Sequence, residues 1–166
     1  MTWRAALRQQ RYKWLAGFVV AAAIIFICGF PLFFDFIKDK PGTPINDPIL
    51  NFLPHADLSA PIFVIIYSMV IASVVIHRSE PFLILEALAT YCLVTLMRML
   101  TIYLFTLEPP IGWIPLKDPF VALVAYEPAF AKDLFFSGHT ATLCCLIFFE
   151  RNGLFKGIKV NYSCHL

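Results

Sequence analysis

The sequence predicts an all-α, polytopic helical membrane protein with about four transmembrane helices. Of its 166 residues, 60% are hydrophobic and only 14% are charged, and the mean hydropathy is +0.75. A soluble domain with one core is far less apolar. The apolar residues also fall into four runs, which are separated by segments rich in proline or charge. This grouping indicates helices that cross a lipid bilayer.

The four runs make up a single membrane domain over residues 1–166. The predicted spans cover residues 15–34, 60–76, 81–107 and 134–149. The first span holds 20 residues without a charge, which at about 1.5 Å per residue crosses a hydrocarbon core of about 30 Å. A signal peptide is the alternative, because basic residues precede this run. The apolar region is too long for one and no small-residue cleavage site follows, so we favour an uncleaved helix.

Proline-rich segments connect the spans. The segment 35–59 contains four prolines and the segment 108–132 contains five, a density typical of irregular connections. Ser79 is a predicted N-cap, with Pro81 in the first turn of the third helix. In the second connection, Trp113 and Tyr126 are predicted interfacial anchors. Residues 150–166 form a polar tail.

The distribution of lysine and arginine predicts the orientation in the membrane. One side has eight and the other has four. The first set is Arg4, Arg8, Arg11, Lys13, Arg78, Arg151, Lys156 and Lys159, and the second is Lys38, Lys40, Lys117 and Lys132. The positive-inside rule therefore places the N-terminus in the cytoplasm and the start of the fourth span on the extracytoplasmic side.

Two polar clusters are predicted at that outer side. Arg98, Thr101 and Thr106 lie near the end of the third span, while Ser137, His139 and Thr140 lie at the start of the fourth. A helix N-terminus suits a phosphate, and arginine adds a planar fork for its oxygens. A histidine near neutral pH can protonate a leaving oxygen. Together these residues make up half of a phosphoryl-transfer site.

Each of these residues also has a purely structural interpretation. Glu86 and Arg98 are both costly in lipid unless they face protein, water or a ligand. They are twelve residues apart, so they do not meet within one straight helix, although a partner on another helix stays open. Ser137 and Gly138 are compatible with a simple helix start, and a boundary histidine is often a packing residue.

Metal, cofactor and nucleic-acid functions are not indicated. Four of the five cysteines, Cys28, Cys92, Cys144 and Cys145, lie within apolar runs, where they pack as small hydrophobic residues. No spacing resembles that of a zinc site. The net charge is only +2 and the basic residues form no stripe for DNA or RNA. We therefore expect no metal, no cofactor and no nucleic-acid partner.

Two segments resemble ordered motifs of the sphingomyelin synthases and their bacterial relatives, a branch of the type 2 phosphatidic acid phosphatase superfamily. They are RMLTIYLFTLEPP, Arg98–Pro110, and KDLFFSGHTATL, Lys132–Leu143. The matching residues are Arg98, Thr101, Tyr103, Thr106, Leu107, Pro110, Asp133, Ser137, Gly138, His139 and Thr140. Asp57, in LPHADLSAPIF, matches part of an earlier loop motif of that family.

The resemblance implies a six-helix membrane fold with an extracytoplasmic active site that acts on lipid phosphates or phospholipid headgroups. It implies that His139 serves the leaving group and that a later histidine, in a pattern of the type His-Tyr-Thr-x-Asp, attacks phosphorus to form a phosphohistidine. Arg98 would help to hold the phosphate. The remaining substrate-binding candidates are Asp133, Ser137, Gly138 and Thr140.

The sequence departs from the family after the fourth span. No His-x-x-x-Asp follows His139, and we do not assign the one downstream histidine, His165, as a nucleophile. The resemblance thus covers the N-terminal two-thirds of the family fold, and we expect residues 150–166 to be a truncated or aberrant end. Apolar faces left by missing helices would favour homo-oligomers.

Three functions follow as hypotheses. The first is a lipid phosphatase or phosphotransferase whose chain is incomplete for catalysis. The second is a non-catalytic lipid-phosphate binder or assembly partner that uses Arg98 and His139. The third is a transport path formed by Glu86, Arg98 and His139, and the absence of repeats or paired broken helices makes it the least favoured.

Overall fold

A computed structural model describes residues 2–44, 56–110 and 136–162, together with the single positions 114, 132 and 134; over 151–162 it describes the backbone only. The described part is mostly helical. Its elements are α1 (Trp3–Arg8), α2 (Gln10–Lys38), β1 (Thr43–Pro44), α3 (Ser59–His77), α4 (Pro81–Leu104), β2 (Leu107–Glu108) and α5 (Gly138–Tyr162).

Three of the described helices, α2, α3 and α4, are long and apolar enough to cross a membrane. The prediction is confirmed in its coarser form, a mostly helical chain with helices long and apolar enough to cross a membrane. The predicted spans 15–34 and 60–76 lie inside α2 and α3. The helix α5 has a shorter apolar part, Gly138–Glu150.

The third span ends three residues earlier than predicted, because a strand replaces the last helical turn. The predicted span runs to residue 107, whereas α4 ends at Leu104. The carbonyl of Thr106 accepts a hydrogen bond from the N–H of Thr43 at 2.9 Å, and β2 then pairs in parallel with β1. Two prolines follow at once, at 109 and 110, and proline cannot continue a helix without losing a hydrogen bond.

The fourth helix is shifted towards the C-terminus relative to the predicted span 134–149. It begins at Gly138, and its backbone stays helical to Tyr162, so most of the predicted polar tail continues the helix. That segment contains no proline.

The chain divides into two compact units, which are described separately. The first comprises Met1–Ile24, Ile66–Val94 and His139–Leu166, and the second comprises Ile25–Ile65 and Thr95–Gly138. The buried core of the first unit contains Ala6, Tyr12, Val19 and Leu85. The buried core of the second contains Phe34, Ile37 and Ile102, with Phe30 and Phe33 packed against it.

In the first unit, α1 packs against the turn between α3 and α4. The indole Nε1 of Trp3 donates a hydrogen bond to the carbonyl of Arg78 at 2.6 Å. The hydroxyl of Tyr12 donates to the carbonyl of Pro81 at 3.3 Å, and its ring meets that of Phe82 edge to face at 4.9 Å. These contacts join residues about seventy positions apart in the chain. They hold the N-terminal segment against the turn between α3 and α4.

Candidate functional site

The second unit brings Arg98 against the first residue of α5. The guanidinium lies directly on Gly138: a Cβ atom built there would come within 2.8 Å of Nη2, and closer still to Nη1 and Cζ. Only a residue without a side chain leaves room for this approach. The Nε atom of Arg98 is buried. Arg98 therefore lies beside the first residue of α5.

The surrounding residues explain why the guanidinium lies in this position. Arg98 is on α4, four residues before the buried Ile102, which belongs to the core of this unit. Residues four apart share a helix face, so the arginine lies on the side of α4 that faces the phenylalanines of α2. Its Cζ atom is 5.8 Å from the centre of the Phe30 ring, within the range of a cation–π contact.

The electrostatics of this contact favour an anion. A helix N-terminus carries about half a positive charge, and the N–H groups of its first turn point away from the helix. A guanidinium beside Gly138 adds a full positive charge at this helix start. Phosphate and carboxylate oxygens are ligands that both groups favour.

The remaining predicted site residues are divided between the two units. Ser137 lies in the second unit with Arg98, is exposed, and directly precedes α5 in the N-cap position. His139, which is half-buried, and Thr140, which is exposed, follow in the first turn of α5 and belong to the first unit. Asp133 lies outside the described residues.

The threonines of the predicted cluster donate their hydroxyl hydrogens to backbone carbonyls of α4. The hydroxyl of Thr101 donates to the carbonyl of Arg98 at 2.9 Å. The hydroxyl of Thr106 is buried and donates to the carbonyl of Ile102 at 3.1 Å. These bonds leave their oxygens only as acceptors, a poor match for an anion. The threonines therefore stabilise the end of the helix.

Asp57 also has a structural contact. Its carboxylate accepts hydrogen bonds from the backbone N–H of Ser59 at 3.0 Å and from the Ser59 hydroxyl at 2.6 Å. Ser59 is the first residue of α3, so the aspartate stabilises the N-terminus of that helix, as acidic residues commonly do.

A charged cluster that the sequence analysis did not identify lies beside β1 and β2. The carboxylate of Glu108 accepts hydrogen bonds from the ammonium of Lys132 at 2.9 Å and from the backbone N–H of Gly42 at 3.0 Å. Lys132 also donates to the carbonyl of Lys40, and Lys40 donates to the carbonyl of Tyr103. The sequence carries one signal of this cluster: the opposite charges of Glu108 and Lys132 stand at the two ends of the second proline-rich segment.

The hydrogen bonds of Glu108 stabilise its ionised form. The bond from Lys132 is the main cause of a pKa below the usual value of 4.5, and the bond from Gly42 and the positive charge of Lys132 act in the same direction. Partial burial opposes them. Glu108 is therefore a carboxylate at neutral pH, and it links the strand pair to Lys132.

In the first unit, a histidine lies between two carboxylates. His77 Nε2 is 3.3 Å from Glu150 Oε2 on α5, and Nδ1 is 4.0 Å from Glu80 Oε1. Glu86, part of the predicted transport path, is exposed on α4 in the same unit. The sequence analysis missed the contact between His77 and Glu150, because 73 residues separate the partners.

The described residues contain no group of three histidine, cysteine, aspartate or glutamate side chains with a geometry that would hold a metal ion. Comparisons with protein-family models, with curated proteins and with solved structures find no match to this chain. The candidate site centres on the contact between Arg98 and Gly138.

Proposed function

We propose that the chain is an integral membrane protein of the lipid phosphatase and phosphotransferase type, similar to the sphingomyelin synthase-like branch, and that it binds the phosphate of a lipid or headgroup. The contact between the Arg98 guanidinium and Gly138 carries this proposal. It unites a planar fork of donors with a helix N-terminus, and both features favour phosphate oxygens.

The proposed chemistry assigns a separate role to each group. Arg98 holds two phosphate oxygens, while the backbone N–H of Gly138 and the Ser137 hydroxyl contact a third. His139 directly follows Gly138 in the chain, and we assign it the leaving-group role that the resemblance implies: it would donate a proton to the departing oxygen while the family's later histidine, which no residue of this sequence matches, attacks phosphorus. Thr140 and Asp133 complete the motif.

The proposal places the chain in a membrane, because α2, α3 and α4 are long and apolar enough to cross a bilayer. We propose α5 as a fourth span, so that the chain supplies the N-terminal part of a six-helix fold with a cytoplasmic N-terminus and an extracytoplasmic site. The proposed partners are membrane lipids and further copies of the same chain. The exposed apolar side chains of α2, such as Phe18 at 74% and Leu32 at 73%, are consistent with contact to lipid.

A glycine substitution tests the site without changing any charge. Gly138→Ala adds a methyl group where the guanidinium lies, so Arg98 must move away from the α5 N-terminus. We expect the Kd for phosphocholine, measured by phosphorus NMR on the protein in detergent micelles, to rise about tenfold or more, since a hydrogen bond to a charged group contributes about 1.5–3 kcal/mol. The matched control is Gly29→Ala, where no atom lies within 4 Å of the new methyl group.

Substitutions of the arginine complete this experiment. Arg98→Lys keeps the charge but loses the planar fork, and we expect weaker binding than in the parent protein. Arg98→Gln loses both the charge and the planar fork, so this variant should bind phosphocholine most weakly. Lys38→Gln, which neutralises an exposed lysine of the same unit, should leave Kd unchanged. Equal binding by Arg98→Gln and the parent protein would contradict the proposal.

A non-catalytic lipid-phosphate binder is the second candidate, and one observation favours it. After His139 these 166 residues contain no His-x-x-x-Asp, so no residue matches the family nucleophile and its aspartate. For this chain we expect phosphate binding without a covalent intermediate. Trapping with a radioactive lipid phosphate should give no acid-labile phosphohistidine. Strong labelling that His165→Ala abolishes would show that His165 is the nucleophile.

A further inference from the structure

We propose that the first unit has a second lipid contact, a basic surface that binds the headgroups of anionic phospholipids. The basic surface consists of Arg4, Arg8, Arg11, Lys13 and Arg78. It is independent of the phosphate site at Arg98, because it lies in a different unit of the chain.

Tertiary contacts assemble this surface from two distant segments. Four of its residues lie in or beside α1 and at the start of α2, and the fifth lies in the turn between α3 and α4. The hydrogen bond from Trp3 to the carbonyl of Arg78 joins the two segments directly. The fully buried Ala6 and the bond from Tyr12 to Pro81 hold α1 on the same turn. The fold therefore concentrates the five charges at one end of the unit.

The charges of the basic surface are exposed. All five residues are exposed, and within the part of the chain that the structure describes none of their side chains forms an ion pair. The acidic groups nearest to the turn are directed to a histidine instead: Glu150 and Glu80 lie 3.3 and 4.0 Å from the ring nitrogens of His77. The arginines thus keep their positive charge available to a ligand.

The neighbouring aromatic residues place this surface at the depth of lipid headgroups. The side chains of Trp3 and Trp14 are 41% and 74% exposed. Tryptophan favours the boundary between the hydrocarbon core and water. The apolar run of α2 begins at Leu15, directly after Trp14. The basic residues therefore flank the boundary at which phosphates lie, and each exposed cation next to an anionic bilayer strengthens binding by about five-fold.

Tryptophan quenching by brominated lipids measures this contact directly. In a Trp113→Phe background, the fluorescence reports only Trp3 and Trp14, since the chain has three tryptophans. The protein in mixed micelles is titrated with brominated phosphatidylglycerol or with brominated phosphatidylcholine. We expect quenching at several-fold lower concentrations of the anionic lipid. We also expect this preference to fall sharply in about 1 M salt, where the Debye length is about 3 Å.

Single neutralisations test whether the two segments form one surface. Arg8→Gln and Arg78→Gln should each lower the preference for the anionic lipid by up to about five-fold. Gln10→Ala changes an exposed, uncharged position between Arg8 and Arg11, and it should leave the lipid preference unchanged.

Three results would overturn the proposal: equal quenching by the two lipids in the parent protein, a preference that does not respond to salt, or an effect of Arg8→Gln that Arg78→Gln lacks. The salt series uses the unsubstituted basic surface, so it decides the question even if a variant fails to fold.

Discussion

In the first unit, Arg4, Arg8 and Arg78 expose their charges, whereas in the second unit Arg98 and Lys132 pack against backbone groups. Arg98 lies on the Cα atom of Gly138, and Lys132 bonds both a carboxylate and a carbonyl. In the first unit, two neutral donors, the Trp3 indole and the Tyr12 hydroxyl, join the N-terminal segment to the turn between α3 and α4 and to the start of α4.

Arginine and lysine thus have different roles in the two units. A cation that bonds a carbonyl or a carboxylate inside a fold contributes to the free energy of unfolding, because its removal leaves acceptors unsatisfied. A cation on the surface contributes little to folding but acts on charged partners at the membrane. Substitutions in the two units test this distinction.

The largest expected effect is that of Lys132→Gln. The ammonium of Lys132 is only 12% exposed and bonds Glu108, so its loss should lower the free energy of unfolding by about 2 kcal/mol. Arg8→Gln removes one charge from an exposed position and should change it by less than about 0.5 kcal/mol. Chemical denaturation in detergent micelles measures both. Equal losses would remove the proposed distinction between the two units.

A smaller loss is expected from Gly42→Ala. The new methyl group would lie 3.0 Å from Glu108 Oε1 and 3.1 Å from both the Leu107 carbonyl carbon and the Thr106 oxygen. Because two of these atoms are backbone, the strands must separate, at an expected cost of about 1–2 kcal/mol. In contrast, Gly17→Ala fills open space within α2 and should stabilise that helix by up to about 1 kcal/mol. A neutral result at both positions would mean that the strand pair tolerates displacement.

In the first unit, Tyr12→Phe tests the neutral hydrogen bond between α2 and α4. Tyr12 is buried, and the substitution removes its bond to the Pro81 carbonyl, so we expect a loss of about 1 kcal/mol. The same change at Tyr103, whose side chain is 46% exposed, is the control and should have almost no effect. The same denaturation series compares the two. If Tyr12→Phe matched the control, packing alone would hold α1 and α2 on the turn.

The smallest effect is a pH dependence of the strand pair. The pKa of Glu108 in the folded protein lies below its usual value of 4.5, because Lys132 and Gly42 stabilise the carboxylate. The resulting stabilisation is fully present above about pH 4.5 and is lost as the pH falls through the lower, folded pKa. The difference in unfolding midpoint between the parent protein and Glu108→Gln should therefore shrink on acidification below about pH 4.5. If the difference in unfolding midpoint stayed constant, Glu108 would stabilise the strand pair by packing and not by its charge.

The helices were predictable because each depends on a local run of residues. The spans 15–34 and 60–76 lie within α2 and α3, since about twenty apolar residues suffice to cross a bilayer core. The end of α4 was not predictable, because the strand that replaces its last turn pairs with Thr43, more than sixty residues earlier. Nor was α1 predicted, since it is held by a carbonyl 75 residues away.

The candidate site was predictable in part. The residue types of Arg98 and of the Ser137–Gly138 helix start indicated phosphate chemistry, and the structure brings this arginine to this glycine. The threonines were expected in the same cluster, but the hydroxyls of Thr101 and Thr106 donate to carbonyls of α4. Local hydrogen bonding of threonine to a preceding turn competes with any ligand, and a sequence pattern does not reveal which of the two is present.

The order of residues along the chain was sufficient to predict that the chain is mostly helical and that its helices are apolar enough for a membrane. These properties depend on hydropathy and on backbone conformation, which act over a few neighbouring residues. The contacts of Arg98 with Gly138, of Lys132 with Glu108, and of Trp3 with the turn at Arg78 became visible only in the folded chain. Those contacts depend on how distant segments pack, and packing is a property of the whole chain.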